Sequence, residues 1–132
     1  MTEEDAQEDK ALLRVMLRLY EDFHSRLAPL GITALEAGMM MYLHRHANVS
    51  TIDLGKAFGT HELILSPRVE DLVRKGLVQR QSNRQHHGVS ILTLTSEGKV
   101  IIPDIEKHIL EISNLIREVS SRHTSIPPLV GR

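Results

Sequence analysis

Local patterns in the middle of this 132-residue chain predict a mainly α-helical fold with a small β-hairpin. Residues 51–58 and 60–75 have the composition and breaks of two helices joined by a short turn. Two β-rich runs follow, Leu77–Arg80 and Val89–Leu94, with a polar, cationic loop between them. Helix, turn, helix and hairpin in this order are the layout of a winged helix-turn-helix, which we place at residues 33–95.

The composition bounds the class of protein. The length predicts one domain over residues 1–132, and the aromatic share of 3% requires an aliphatic core. There is no cysteine, which excludes disulfides and thiolate metal sites. No apolar run approaches the ~18 residues of a membrane-spanning helix, and the N-terminus, MTEEDAQEDK, is acidic where a signal peptide is basic. We therefore expect a cytoplasmic protein without a membrane partner.

Two further helices flank this unit, at residues 11–29 and 96–121, and the tail 122–132 is predicted to be extended or disordered. Apolar residues from Ile102 to Val119 recur every three or four positions, which is a heptad spacing. Such a seam favours another helix alongside, either the first helix of the same chain or a second subunit. We predict a homodimer whose interface contains Leu12, Met16, Leu19, Ile105, Ile109, Ile112, Ile116 and Val119.

Two helix starts carry capping signals. Thr33 with Glu36, and Ser50 with Asp53, each place a hydroxyl and a carboxylate three residues apart, as a capping box requires. The run Met39–Met41 then fills the core or forms the wall of an adaptable ligand pocket. In the third helix, Ile52, Leu54 and Phe58 are expected to face inward, and Gly55 is expected to allow close crossing by the next helix.

The start of the fourth helix has two interpretations, because proline suits the first helical position and disturbs the interior. Either Ser66 caps a short helix that begins at Pro67, or the helix begins near Glu62 and Pro67 kinks it. In both cases Lys75 precedes the stop at Gly76. We expect at least two of the three residues Leu63–Leu65 to be buried.

The charge distribution favours nucleic acid only weakly. The chain carries a net charge of -1, whereas residues 51–99 hold seven basic residues against five acidic ones. The fourth helix is the right size for the major groove, which is about 12 Å wide, and the cationic loop would reach the neighbouring backbone or minor groove. The predicted contacts to double-stranded DNA are Ser50, Thr51, Lys56, Ser66, Arg68, Arg74, Arg84, His86 and His87.

Other chemistry has little support. The eight histidines raise a metal hypothesis, with His24, His44 and His108 as candidates, but none has the tight spacing of a structural zinc motif. Phosphate-binding loops, HExxH and the nucleophile elbow are all absent from the sequence. We expect no enzymatic activity and no cofactor.

Taken together, LAPLGITALEAGMMMYLHRH, STIDLGKAFG, the sixteen residues to GLV, and LTLTSEGK resemble the MarR family of bacterial transcription regulators. The resemblance covers residues 12–119. It implies a homodimer whose terminal helices form the interface and whose winged helices each dock on half of a palindromic site. It also implies a repressor that a small ligand releases from DNA.

The chain departs from the family pattern at the DNA side. The family usually has Ser or Thr with an Arg early in the recognition helix, where this chain has Leu63-Ile64-Leu65-Ser66-Pro67. The family's wing arginine is replaced by the stretch 86–88, and Arg84 is the nearest substitute. A second hypothesis follows from these departures: a winged-helix dimer that acts through protein–protein contact.

Overall fold

Five helices and three short strands make up the computed structural model, which describes residues 2–82 and 90–122. The described residues group into two compact units, residues up to 31 together with those from 106, and residues 32–105. The predicted fold class, mainly α with a β-hairpin, is confirmed. The elements are α1 (Glu3–Leu27), a 3-10 turn (Ala28–Leu30), α2 (Ala34–Arg45), β1 (Val49–Ser50), α3 (Thr51–Ala57), α4 (Glu62–Arg74), β2 (Val78–Ser82), β3 (Ser90–Leu94) and α5 (Ser96–Arg122).

The three strands form one antiparallel sheet in the order β1-β3-β2. Val78 pairs with Leu94 and Ser82 with Ser90, so the hairpin is in register along its described length. The strand β1, where Val49 pairs with Leu92, was not predicted, because two residues are too few to show an alternating pattern. The hairpin's first strand also begins one residue later and ends two residues later than predicted, and Val89 lies outside the described residues.

Both predicted capping boxes are present. The Thr33 hydroxyl accepts a hydrogen bond from the Glu36 amide at 3.2 Å, and the Glu36 carboxylate accepts one from the Thr33 amide at 3.0 Å. Ser50 and Asp53 repeat the arrangement at the start of α3. A third box, between Thr2 and Asp5, starts α1 at Glu3. The predicted start of the first helix at residue 11 was therefore wrong, because an acidic, capped first turn extends the helix.

The core of the second unit is aliphatic, as the composition predicted. Met39 and Met40 are fully buried and Met41 is 5% exposed, so the methionine run fills the core. Leu54 is buried as expected, Phe58 is half-buried, and Ile52 is 42% exposed. The inward placement of Ile52 was therefore wrong: α3 is only seven residues long and buries one narrow face.

Two glycines allow backbones to approach closely. A Cβ at Gly55 would lie 2.8 Å from the Thr60 carbonyl oxygen, which explains why the turn from α3 to α4 needs glycine there. A Cβ at Gly98 would lie 2.2 Å from the Leu77 carbonyl oxygen. The Thr95 hydroxyl, which caps α5 through the Gly98 amide, also donates to the Gly76 carbonyl at 2.6 Å. The start of α5 is thus fastened to the segment that joins α4 to β2.

Proline is placed inside α4, so the interpretation with a short helix from Pro67 was wrong. The helix begins at Glu62, and His61 caps it by accepting the Leu63 amide on Nδ1 at 3.1 Å. Because Pro67 has no N–H, the Leu63 carbonyl loses its usual donor four residues on. α5 likewise continues through Pro103.

In the first unit, an ion pair between Arg26 and Glu111 joins α1 to α5, and Asp22 holds the same guanidinium at 2.8 Å. None of the described helices is long and apolar enough to cross a membrane.

Ile105 is 0% exposed within one chain. Its assignment to a dimer interface was therefore wrong, because its side chain has no surface left for a partner.

A buried carboxylate ties α2 to the end of α4. Glu36 is 1% exposed, and both of its oxygens accept hydrogen bonds from Lys75 Nζ, at 2.8 and 2.9 Å. Burial raises the pKa of Glu36, but the hydrogen bonds from Lys75 and Thr33 outweigh burial and hold the pKa below its ordinary value of 4.5. The ionised form is therefore the one that stabilises the fold.

We expect Glu36→Gln to lower the free energy of unfolding by about 1.5–3 kcal/mol at pH 7, the usual contribution of a charge-assisted hydrogen bond. Because the folded pKa is lowered, the contribution is present above pH 4.5 and is lost as pH falls through the folded value. The difference between the native chain and the variant should therefore shrink in acid, as measured by urea unfolding at pH 7 and at pH 4 and below.

The matched control is Glu70→Gln, which removes an exposed carboxylate paired with Arg80. Exposed pairs contribute little, so this variant should change stability by less than about 1 kcal/mol. Equal losses in the two variants would contradict the role assigned to Glu36.

Candidate nucleic-acid interface

The orientation of α4 determines which side chains the helix-turn-helix presents to a ligand. Leu65, Val69 and Leu72 are at most 2% exposed and pack inward. Their spacing of four and three residues makes one narrow buried stripe, so the opposite side of the helix faces solvent. The exposed side chains are Glu62, Leu63, Ile64, Pro67, Arg68, Glu70 and Arg74.

The exposed face of α4 has two chemically different halves. After the carboxylate of Glu62, its N-terminal half is apolar: Leu63 is 77% exposed and Ile64 is 67% exposed, with Pro67 one turn further on. Its C-terminal half carries charged residues. The expectation that two of Leu63–Leu65 are buried was wrong, since only Leu65 is. Because the helix already includes residues 63 and 64, helical geometry directs their side chains away from the buried stripe that begins at Leu65.

Arg68 and Arg74, the two arginines predicted to contact DNA, share one carboxylate. Asp71 pairs with Arg74, and its other oxygen lies 3.7 Å from Arg68. The side chains of Arg68 and Arg74 are 53% and 74% exposed, so both remain accessible to a ligand. An anion that approaches this face would have to compete with Asp71 for the two guanidinium groups.

The strand β2 adds another pair of the same kind. Arg80 binds Glu70 of α4 and keeps 32% of its side-chain surface exposed. Arg80 was not predicted as a contact, although it follows α4 closely and carries the positive charge that such a surface needs. Like Arg68 and Arg74, it lies beside a carboxylate rather than alone.

The start of α3 holds the other predicted contacts. The Ser50 hydroxyl oxygen accepts the Asp53 amide, and the Thr51 hydroxyl donates to Glu62 Oε1 at 3.1 Å, which links the starts of α3 and α4. Lys56 is exposed and has no carboxylate partner within the described ranges 2–82 and 90–122. Among the predicted cations that the structure describes, Lys56 is thus the one most available to a phosphate.

Four predicted contacts remain. Ser66 is half-buried at the edge of the inward stripe of α4, so its hydroxyl lies beside the exposed face. Arg84, His86 and His87 lie outside the described residues. His61 was missed as the cap of α4, because histidine is not among the residues that usually cap helices.

The metal hypothesis gains no support. In the part of the chain that the structure describes, no three or more His, Cys, Asp or Glu side chains are arranged to hold a metal ion. His24 stacks with Tyr20, with ring centroids 6.0 Å apart, and His108 Nδ1 lies 4.0 Å from Glu111 Oε2. His44 belongs to the other unit.

Comparison with solved structures identifies the fold. A MarR transcriptional regulator from Methanosarcina mazei Go1 superposes with a TM-score of 0.75 at 20% identity, over 86% of this chain and 81% of that one. The transcriptional repressor CouR, bound to a 23-mer DNA duplex, gives 0.77 at 20% identity, over 95% and 94%. A mutant MarR from E. coli in complex with operator DNA gives 0.71 at 20% identity, over 92% and 91%.

No protein-family model and no curated protein matches the sequence. At this level of identity the structural likeness establishes the fold, and the chain has the winged-helix fold of MarR regulators. The resemblance inferred from the sequence is confirmed to that extent.

The shared carboxylate of Asp71 gives a first prediction for this surface. Asp71→Asn removes the negative charge beside Arg68 and Arg74 but keeps a side chain of the same shape. We expect the variant to bind duplex DNA more tightly than the native chain, because both guanidinium groups lose their competing partner. Fluorescence anisotropy with a labelled duplex at 50 and 200 mM salt would measure the change.

Asp53→Asn is the matched control, because it neutralises a carboxylate at the α3 cap rather than beside the α4 arginines. A rise in affinity of the same size in both variants would mean that only net charge matters. Unchanged affinity in Asp71→Asn would show that the two arginines do not meet DNA.

Proposed function

We propose that this chain is a homodimeric, sequence-specific DNA-binding transcription regulator that represses palindromic operators and responds to a small ligand. The observation that carries the proposal is the exposed face of α4, held outward by three buried residues in a fold that CouR and MarR use when bound to DNA. α4 would act as the recognition helix in the major groove. The chain itself would not be an enzyme.

The polar side chains on α3 and α4 would contact different parts of the DNA. Arg68 lies on the exposed side of the recognition helix and is suited to a guanine edge or a phosphate. Lys56 and the hydroxyl of Ser50 would contact the backbone beside it. Because most of the arginines on this surface are paired with carboxylates, the affinity of one chain should be low, and two chains on one site would double the number of contacts.

The apolar surface of the first unit supports the dimer. On α1, four large apolar side chains are between 53% and 60% exposed, and Leu110 of α5 is 58% exposed. The four residues of α1 recur at helical spacing and form one stripe: Leu13, Met16, Leu17 and Tyr20. Contiguous apolar surface of this kind marks an interaction site in soluble proteins. Within the predicted interface, Leu12 and Leu19 are half-buried in the single chain.

Clefts of suitable size support the response to a ligand. One of about 440 Å³ lies in the second unit between the end of α2, β3 and the start of α5, and its lining includes Arg45 and Lys99. Another of about 530 Å³ lies in the first unit, lined by Arg18, Arg26 and Glu111 among others. Clefts of about 300–1,000 Å³ are the usual size for small ligands. A ligand that favours one spacing of the two winged helices would shift the population away from the DNA-competent state.

The second candidate function is a winged-helix dimer that acts by protein–protein contact. The exposure of Leu63 and Ile64 favours it, because apolar side chains gain most when they are covered by another apolar surface. The two candidates differ in their response to salt. DNA binding that falls steeply between 50 and 200 mM salt would favour the regulator.

For the regulator, Arg68→Ala should weaken binding to the operator by roughly five- to 150-fold, the loss of about 1–3 kcal/mol expected for a bidentate contact to a base. If Arg68 contacts only a phosphate, the loss should be independent of sequence, and the salt slope should fall by about 0.9 per contact. Titration of the native and variant chains against the DNA upstream of the gene, and against a random duplex, separates these cases.

Arg84→Ala should also weaken binding, and Lys107→Ala is the control, since that exposed lysine lies on α5 outside the helix-turn-helix. Equal affinity in the native chain and both arginine variants would refute the site assignment.

For the dimer, Leu17→Glu should convert the protein from a particle of twice 14.9 kDa to a monomer, because two carboxylates would be buried in the interface. The same variant should bind the operator more weakly. Sedimentation equilibrium at micromolar concentration measures the mass. Val100→Glu, which changes a residue 73% exposed outside the first unit, should stay dimeric. A Leu17→Glu variant that remains a dimer would exclude this stripe as the interface.

A further inference from the structure

The N-terminal turn of α4 exposes two aliphatic side chains where the fold places the end of a recognition helix. Leu63 and Ile64 are the second and third residues of the helix and are 77% and 67% exposed. The Pro67 ring, exposed as well, follows four residues after Leu63 and three after Ile64. Residues at these spacings lie on the same side of a helix, so the three form one small apolar surface.

The packing of the second unit does not account for this surface. The inward stripe of α4 is complete with Leu65, Val69 and Leu72, and none of the three exposed groups adds to it. Polar residues at positions 63 and 64 would leave this buried stripe intact, so they would not lower the stability of the fold. The apolar side chains are therefore best explained by something that binds them.

The major groove offers one apolar group on its floor, the 5-methyl group of thymine. The other groups that distinguish the base pairs there are hydrogen-bond donors and acceptors, and neither a leucine nor an isoleucine side chain can form a hydrogen bond with them. In helix-turn-helix proteins the N-terminal residues of the recognition helix contact the edges of the bases. The chemistry of the two side chains and their position in the helix thus agree on one ligand.

We propose that Leu63 and Ile64 recognise thymine methyl groups in each half of the operator. This inference rests on the proposed function. At the N-terminal end of the recognition helix, apolar contact would then determine which DNA sequence is bound. Arg68, four residues after Ile64, would read or anchor the DNA beside those thymines.

The size of the surface favours DNA over a protein partner. A stable protein interface buries roughly 800 Å² on each partner, far more than two aliphatic side chains and a proline ring present. The neighbouring cations Lys56 on α3 and Arg68 on α4 are balanced by the carboxylates of Glu62 and Asp71, so size rather than charge distinguishes the two kinds of partner. Thymine methyl groups are isolated and small, so two side chains are enough to cover them.

The experiment starts from the operator that the full-length protein selects from a pool of random duplexes. Each thymine of that operator is then replaced, one at a time, by deoxyuridine, which removes the methyl group and keeps the hydrogen-bonding edge. We expect at least one position in each half-site where the replacement weakens binding about fourfold, which corresponds to about 0.8 kcal/mol for one buried carbon.

The variants Leu63→Ala and Ile64→Ala identify the side chain responsible. If Leu63 covers a given methyl group, Leu63→Ala should weaken binding to the thymine operator but show no further loss with deoxyuridine at that position. Val100→Ala is the matched control, because it trims an equally exposed aliphatic side chain outside the helix-turn-helix. It should behave as the native chain does on every operator. Circular dichroism and thermal unfolding establish that each variant is folded.

The outcomes distinguish this inference from the proposed function. A selected operator that no deoxyuridine weakens, or one whose sensitivity is the same in the native chain and both variants, would overturn the assignment to Leu63 and Ile64 and leave the regulator standing. If the pool yields no specific duplex, the proposed function fails, and thymine recognition fails with it.

Discussion

The burial of Leu65, Val69 and Leu72 is the constraint on which the candidate interface depends. These three side chains fix the rotation of α4 about its axis, and the rotation decides which residues face outward. The start of the helix is fixed separately, by the His61 cap and by the close approach of α3 and α4 at Gly55. The end is fixed by the bond between Glu36 and Lys75, and by the Thr95 hydroxyl on the Gly76 carbonyl. Because these contacts set the rotation and both ends of α4, they also determine which of its residues face outward.

The charges on that surface are balanced. Arg68, Arg74 and Arg80 each lie beside a carboxylate, and those carboxylates would repel phosphate if they were unpaired. A surface of this kind gains less from nonspecific attraction than one with free arginines, because every contact to phosphate replaces an existing ion pair. Discrimination between sequences would then depend more on base contacts, and the apolar half of α4 is the part of the face that attracts no phosphate. Weak general attraction and apolar readout of bases are compatible features of one interface.

The sequence was sufficient for the fold class and for the features that depend on neighbouring residues. The capping boxes at Thr33 and Ser50 and the close crossing at Gly55 are all set within a few positions, and all were predicted correctly. The features that failed were of two kinds: local caps that were missed, at Thr2 and His61, and features that depend on long-range packing. Whether Pro67 begins α4 or lies inside it is decided by the cap at His61 and by the contact between α3 and α4. That choice in turn placed Leu63 and Ile64 outside the core. The sharing of Asp71 by two arginines was also missed, since a charge pattern gives spacing but not the rotamers that bring the groups together.

The apolar stripe of α1, in the first unit, would compensate for the low DNA affinity of a single α4 face, in the second unit. A helix-turn-helix with paired charges has few contacts to offer, so its affinity for one half-site would be limited. Joining two copies makes the second half-site contact intramolecular and raises the overall affinity without any new contact. The exposed residues Leu13, Leu17 and Tyr20 supply a surface on which such joining would occur, in a unit that contains none of the groups proposed to meet DNA. Because the dimer surface and the DNA-binding surface would be separate, a substitution or a bound ligand at the dimer surface could alter DNA affinity without contacting the residues that select the DNA sequence.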